Sequence, residues 1–396
     1  MILIKRSGKT KRTSGVLIAC FLFVFLTNCG LKDRNENINA GFDFSGIKEF
    51  WKIVDILKAD IEPSPDQWNA LLSTPGYAVL IRREFKKPGF FEDYMRAVYM
   101  PSQKHRREEL IKEAEQKGSF WSWFSPALLK AYRDAENNRE EIEARVKKLK
   151  TYPYVEEASL EALKFLPETQ VDEYPAIAFI IFNDSRGYSP LVIGLTGGED
   201  LEKSALDKLQ KHGFTKHRPF MLHVAHESFH FYRDKKLEFD FPDKKSPDYS
   251  IIWIINQIEN EGIADQINRK QLYYGNGCFT ETEMAERLRK EQAEQPEILL
   301  KIDALFAKME DKPEAVAELG KEVRKLVPQS GHPTGFYMAN IILGQFGKKP
   351  LVDVVRTPFN FFYLYNEAAK KDWNAPVFSE KSICFIESLE KKYAGR

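Results

Sequence analysis

Three residues near the middle of the chain, His226, Glu227 and His230, have the types and spacing of a zinc site carried on one helix. They form the motif H-E-x-x-H. Positions four apart lie on the same face of an α-helix, so both imidazoles can reach one tetrahedral zinc ion. Glu227 lies about 100° further around the helix, where its carboxylate can act as general base on a water molecule. The alternative is a buried helix whose two histidines only make hydrogen bonds.

A second segment, I-E-N-E-G-I-A-D at residues 258–265, offers a third metal ligand. Glu261 lies thirty-one residues beyond His230, and Glu261 and Asp265 are again four apart. One carboxylate can therefore bind the metal while the other faces the back of a ligand histidine. The alternative is an exposed acidic patch. Isoleucines on most sides of this segment favour a buried helix, in which a carboxylate needs a partner.

Gly262 lies in the middle of this second predicted helix. A glycine in a helix interior costs roughly 1 kcal/mol relative to alanine. A close approach of another backbone would explain why this position has no side chain.

H-E-x-x-H followed by N-E-G-x-A-D resembles the gluzincin metallopeptidases, the group that contains thermolysin and the aminopeptidase-type enzymes. The resemblance covers roughly residues 165–370 and extends to a bacterial family of zinc-dependent peptidases. It implies that His226, His230 and Glu261 bind one zinc ion per chain. It also implies that Glu227 is the general base and that Asp265 orients a histidine. The interval between the motif and the third ligand is longer than in thermolysin, which predicts an inserted loop around residues 240–247.

The resemblance also predicts a hydrogen-bond donor for the carbonyl oxygen that becomes negatively charged during hydrolysis. The stretch G-H-P-T-G-F-Y provides two candidates, His332 and Tyr337. The alternatives are a loop histidine and a core tyrosine. Pro333 disfavours a helical backbone at His332, so we expect His332 in a turn and Tyr337 in the first turn of the next helix. A donor fixed on a helix is better preorganised, which ranks Tyr337 slightly ahead; Tyr363 and Tyr365 are more remote candidates.

The N-terminus has the features of a lipoprotein signal peptide at residues 1–28. Five basic residues precede an apolar run from Val16 to Leu26, and Leu26-Thr-Asn-Cys29 follows. Eleven apolar residues are too few to span a bilayer, which takes about 20. Leu26 three residues before Cys29 resembles the signal for cleavage and lipidation at Cys29, although Asn28 departs from the usual small residue. This predicts a bacterial lipoprotein anchored in the cell envelope, on a periplasmic or surface face; an ordinary cleaved signal or none is the alternative.

Without this leader the chain has 54 Lys and Arg against 58 Asp and Glu, a formal charge near −4. No basic stripe remains, so we expect no nucleic-acid partner. Two further cysteines, Cys278 and Cys384, could form a disulfide in an exported protein, or remain two buried thiols.

Helical periodicity dominates the chain, which predicts a mainly α fold with a small β-sheet, of the α+β class. The predicted parts are a flexible tether at 29–45, an N-terminal helical region at 46–170 and a metallopeptidase-like region at 171–396. The apolar runs 176–183 and 191–196 are interpreted as a hairpin. By the resemblance, 191–198 should line the substrate cleft. Gly197 and Gly198 could let a substrate backbone approach, or form a simple turn.

The leading functional hypothesis is a membrane-anchored zinc-dependent peptidase that acts on a peptide or protein substrate. One alternative is a non-catalytic surface lipoprotein that uses the same fold for binding. Another is a zinc hydrolase that acts on a non-peptide bond. The intact general base in the motif argues against the binding protein, which would have no need of Glu227.

Overall fold

Apolar residues at intervals of three and four positions place one face of most helices in the core. In the first helix, for example, Phe50, Val54 and Leu57 are buried. The second helix is capped by Ser64, whose side chain accepts a hydrogen bond from the backbone N–H of Gln67, while the Gln67 side chain accepts one from the backbone N–H of Ser64. The prediction of a mainly helical chain with a small β-sheet is confirmed.

The computed structural model describes residues 41–117, 119–151, 154–196, 215, 217–273 and 283–394. The helices before the motif are Ser45–Lys58 (α1), Pro65–Leu72 (α2), Pro75–Leu80 (α3), Gly89–Tyr99 (α4), Arg106–Lys117 (α5), Ser119–Asn137 (α6), Arg139–Leu149 (α7) and Tyr154–Leu163 (α8). The helices from the motif onward are Arg218–Asp234 (α9), Tyr249–Ala264 (α10), Arg269–Tyr273 (α11), Glu283–Asp311 (α12), Val316–Leu326 (α13), His332–Phe346 (α14), Lys348–Asp353 (α15), Pro358–Ala369 (α16) and Glu380–Tyr393 (α17).

The sheet has three parallel strands in the described residues: Phe42–Asp43 (β1), Ile177–Ile180 (β2) and Leu191–Gly194 (β3). Strand β2 is central, with Ile177 opposite Leu191. Strand β1 lies within the stretch 29–45 that was predicted as a flexible tether, and where that tether ends stays a prediction.

The hairpin prediction was wrong, because β2 and β3 run parallel. Both strands are almost entirely buried. Continuous apolar runs are typical of parallel strands covered on both faces, whereas the pattern alone does not reveal strand direction. Of the predicted cleft-lining stretch, residues 191–193 are core residues, and Gly197 and Gly198 lie outside the described residues.

The described chain from Gly41 onward forms one compact unit. Helix α8 of the N-terminal part packs along α9, and the Tyr232 hydroxyl donates a hydrogen bond to Ser159 Oγ at 2.9 Å. The domain boundary near residue 170 stays a prediction. The segment expected as an insertion is held by the C-terminus, since the Asp240 N–H donates to the Tyr393 carbonyl at 3.0 Å.

Cys384 is a free, exposed thiol. Its possible partner Cys278 and the lipidation candidate Cys29 both lie outside the described residues. Among the helices of the described residues, none combines the length and apolar character needed to cross a membrane.

Candidate metal centre

Helix α9 carries both motif histidines on one face, as their spacing predicts. Pro219 lies in its first turn, where its missing N–H leaves no intrahelical hydrogen bond unmade. His226 and His230 are buried, and their Nε2 atoms are 3.0 Å apart. Two imidazoles therefore point to the same place.

Helix α10 brings Glu261 to these imidazoles. Its Oε2 atom lies 3.4 Å from His226 Nε2 and 3.3 Å from His230 Nε2. This oxygen is buried, yet it accepts no well-formed hydrogen bond from the described residues. A buried carboxylate oxygen without a donor, placed among imidazole nitrogens, needs a cation as its partner. The histidines and the carboxylate are also the ligand types that zinc takes in proteins, so the site fits this metal.

The far side of each imidazole is held by an asparagine. Asn260 Oδ1 lies 2.8 Å from His230 Nδ1, and Asn268 Oδ1 lies 3.3 Å from His226 Nδ1. When Nδ1–H donates to these oxygens, the Nε2 lone pair of each ring faces the centre. Sequence reasoning missed both asparagines. The only available signal for Asn260 was its position directly before Glu261.

Asp265 is fully buried behind the centre. Its carboxylate lies 3.1 Å from His332 Nδ1 and 3.6 Å from His226 Nδ1, and Arg269 Nε approaches it to 3.2 Å. The structure therefore brings the acidic residue four beyond Glu261 to the backs of two histidines.

His332 joins the centre from a third helix, since its Nε2 lies 3.3 Å from Glu261 Oε2. The expectation of a loop position was wrong: His332 is the first residue of α14, and its backbone is helical. The preceding Gly331 has φ +106°, a left-handed conformation that lets the chain enter the helix abruptly. That turn outweighs the general preference of a residue before proline for extended backbone.

The predicted close approach at Gly262 is confirmed. A Cβ atom on Gly262 would lie 2.3 Å from the carbonyl carbon of Gly335, and one on Gly335 would lie 1.9 Å from the carbonyl oxygen of Ile258. Helices α10 and α14 therefore cross in backbone contact. This crossing lies one residue after Glu261 and three residues after His332, so it brings their side chains together.

Tyr337 does not share a helix face with His332, and which of the two stabilises the oxyanion stays a prediction. Tyr337 lies five positions after His332, which corresponds to about 140° of rotation around the helix axis. It is therefore in the second turn of α14 and not, as expected, in the first. Burial and the nearby Asp372 raise the pKa of Tyr337. The remote candidates Tyr363 and Tyr365 donate their hydroxyl hydrogen bonds to the C-terminal segment.

Glu227 is buried beside the histidines on α9, and no described residue hydrogen-bonds to its carboxylate. The segment 184–188 lies across this helix: a Cβ on Gly187 would lie 2.9 Å from the Glu227 carbonyl oxygen and 2.4 Å from His230 Cβ. Sequence reasoning missed this role of Gly187, because it interpreted the segment as a hairpin turn.

The electrostatics of the cluster favour an added positive charge. Burial alone would lower the pKa of His230, but Glu261, Glu227 and the hydrogen bond to Asn260 raise it to about 10. Burial alone would raise the pKa of Glu261, but His332, His230 and His226 hold it well below its usual range. The same field that favours a proton here also favours a divalent cation.

Comparison with known proteins agrees with this chemistry. No curated protein and no solved structure matches the chain. Residues 68–374 match a family model described as "Putative zinc dependent peptidase (DUF5700)". The expected relation to a family of zinc-dependent peptidases is confirmed. Since the match spans most of the sequence, this protein belongs to that family.

Proposed function

We propose that this protein is a zinc-dependent metallopeptidase in which His226, His230 and Glu261 bind the metal and Glu227 is the general base. The observation that carries this proposal is the buried Glu261 oxygen, which faces imidazole nitrogens but lacks a hydrogen-bond donor. The family match supports a peptide or protein substrate.

When bound, zinc polarises a carbonyl group and lowers the pKa of water. Glu227 accepts the proton of the attacking water and returns it to the leaving amine. The Glu227 carboxylate suits this task for two reasons: Glu227 directly follows the ligand His226, and no described residue donates a hydrogen bond to its carboxylate. Asn260 and Asn268 keep the two motif imidazoles oriented.

We also propose that the enzyme is anchored to a membrane of the cell envelope. Lipidation of Cys29 would anchor the chain in a bacterial envelope membrane, and residues between Cys29 and β1 would form the tether. The sequence features that support this are the apolar run and the Leu-Thr-Asn-Cys sequence. Residues 1–40 lie outside the described residues.

The test is a peptide-library digest with parallel metal analysis of wild type and Glu227→Gln. We expect Glu227→Gln to keep its zinc and to lose at least about a hundredfold in rate, because general-base catalysis contributes about 10²–10⁴-fold. The matched control is Glu297→Gln, which changes an exposed glutamate paired with Lys301 and should leave the rate unchanged.

Undiminished turnover in Glu227→Gln would end the assignment of the base. A wild-type protein that binds zinc but cleaves no peptide would instead favour the non-catalytic binding protein or the non-peptide hydrolase.

A further inference from the structure

We propose that Glu84 is a positioning residue for the metal centre. It holds residues 184–188, the crossing segment, against the helix that carries H-E-x-x-H. This inference rests on the metal site of the proposed function. Glu84 belongs to the N-terminal helical region, well before the stretch 165–370 that resembles the gluzincins. The N-terminal region therefore takes part in supporting the metal site.

The crossing segment contacts α9 at two places. Gly187 packs on the motif itself, where a Cβ would lie 2.4 Å from His230 Cβ and 2.9 Å from the Glu227 carbonyl oxygen. Two residues earlier, Ser185 Oγ lies 2.7 Å from Nε2 of His223, which is one turn before Glu227. The segment therefore touches the backbone of the general base and the side chain of a proposed ligand.

Glu84 ties the crossing segment to the helix α3 side of the fold. Its carboxylate accepts hydrogen bonds from Nε and Nη2 of Arg186, the second at 3.1 Å, and from the Tyr188 hydroxyl at 2.9 Å. The side chains of Glu84 and Arg186 are only 18% and 21% exposed, so solvent ions screen this pair less than a surface pair. Because the two donors flank Gly187, one carboxylate fixes the chain on both sides of the glycine that meets the motif.

Arg186 has a second carboxylate partner with a different role. Asp184 Oδ2 lies 2.5 Å from Arg186 Nη1, but Asp184 belongs to the crossing segment itself. That pair therefore adds nothing to the link with α3. Loss of the Glu84 charge leaves Arg186 paired while it loosens the segment from the N-terminal region. A change at Glu84 thus tests the position of the segment rather than the cost of an unpaired charge.

The backbone at Glu84 is also unusual. Residues Ile81–Phe85 continue α3 as a π-helical turn, in which the Lys86 N–H donates to the Ile81 carbonyl at 2.7 Å. Turns of this kind are rare and occur frequently at functional sites. The local structure therefore agrees with a role for Glu84 beyond packing.

The test measures the zinc affinity of the full chain by competition with a chromophoric chelator. Glu84→Gln should raise the zinc dissociation constant by at least about 10-fold, the lower end of the cost of losing a residue that orients a metal ligand. The matched control is Glu62→Gln. Glu62 also pairs with an arginine of the N-terminal region, Arg96 at 2.7 Å, so this change should leave zinc affinity at the wild-type value. An unchanged constant in Glu84→Gln, or an equal rise in Glu62→Gln, would overturn the proposal.

Gly187→Ala tests the same connection from its other end. Its added Cβ would displace the crossing segment from His230, so this change alone should also raise the zinc dissociation constant. Adding Glu84→Gln to it should have no further effect, because both changes act through one contact. Additive effects would overturn the proposal. If Glu84→Gln fails to fold, Tyr188→Phe removes only a hydroxyl that donates to Glu84, and unchanged zinc affinity in that variant would overturn it as well.

Failure of the proposed function gives a different result, because zinc affinity is measured without a peptide substrate. A wild type that binds zinc and cleaves no peptide would leave the role of Glu84 standing. A wild type that binds no zinc would refute both proposals. A wild type that binds zinc with an affinity that survives Glu84→Gln would refute only the role of Glu84.

Discussion

Gly262 and Gly335 meet backbone to backbone where helices α10 and α14 cross, with no room for a methyl group on either. This crossing aligns Glu261 with His332, whose side chains come from segments seventy-one residues apart in the sequence. The geometry of the candidate metal centre therefore depends on two residues that have no side chain.

Gly335→Ala should separate the two helices and weaken both folding and metal binding. The added Cβ would lie 1.9 Å from the Ile258 carbonyl oxygen, which the backbone can relieve only by moving. We expect the free energy of unfolding to fall by about 1–3 kcal/mol, the usual cost of overpacking. Thermal unfolding with and without zinc measures both effects.

Gly344→Ala is the matched control, since it lies on the same helix and its Cβ would meet nothing within 4 Å. That change should stabilise the protein, because alanine is favoured over glycine in a helix. Equal stability of the two variants would contradict a tight helix crossing.

Glu259→Gln should destabilise the fold without acting on the metal directly. Glu259 is fully buried and accepts hydrogen bonds from Arg233 Nε at 2.8 Å and from the Arg356 N–H at 3.1 Å. These partners make Glu259 part of the α9–α10 contact rather than an alternative ligand to Glu261. Removing its charge takes away the buried charge partner of Arg233 and leaves the exposed Asp234 carboxylate at 2.9 Å and the Asn256 oxygen at 2.7 Å, so we expect a loss of at most about 3–5 kcal/mol.

Urea denaturation of Glu259→Gln beside Glu297→Gln measures this loss, since the exposed pair of Glu297 should contribute little. Identical midpoints would show that the buried pair does not stabilise the fold.

The stability of the fold should fall at acid pH through Glu168. Burial alone would raise the pKa of Glu168, but hydrogen bonds from Arg356 and Lys236 lower it from 4.5 to about 2. A folded pKa below the unfolded one means that the stabilisation is present above about pH 4.5 and is lost as the pH falls through about 2. One pKa unit corresponds to about 1.4 kcal/mol, so the contribution is at most about 3 kcal/mol.

Unfolding free energies between pH 6 and pH 3 measure this effect. Glu168→Gln should make the free energy of unfolding depend less on pH. Glu238→Gln, at an exposed position, should leave that dependence unchanged. An unchanged slope in Glu168→Gln would assign the acid sensitivity to other carboxyl groups.

Cys29→Ser should release the protein from membranes into the soluble fraction. The reason is that the lipid supplies the anchor, and the described residues contain no helix suited to cross a bilayer. Fractionation of cells that express each form measures the shift. Retention of Cys29→Ser on membranes after salt and carbonate washes would rule out lipidation as the anchor.

The sequence by itself determined the local features of this protein. The spacing of His226 and His230 places both imidazoles on one helical face, because residues four apart always share a face. Gly262 likewise predicted a close contact with another backbone, since a glycine in a helix interior usually has a packing reason. Helical periodicity predicted the mainly α fold, and the motif led to the right family of zinc-dependent peptidases.

Only the tertiary structure decided how distant segments meet. The direction of β3 depends on its pairing with β2, which a buried apolar run does not encode. His332 comes beside Glu261, and Tyr337 does not, because the crossing of α10 and α14 sets the rotation of the later helix. Asn260 and Asn268 likewise become supports of the imidazoles only after α9 packs against the segment that carries them. These contacts join residues fourteen or more positions apart, and such relations follow from packing rather than from local sequence.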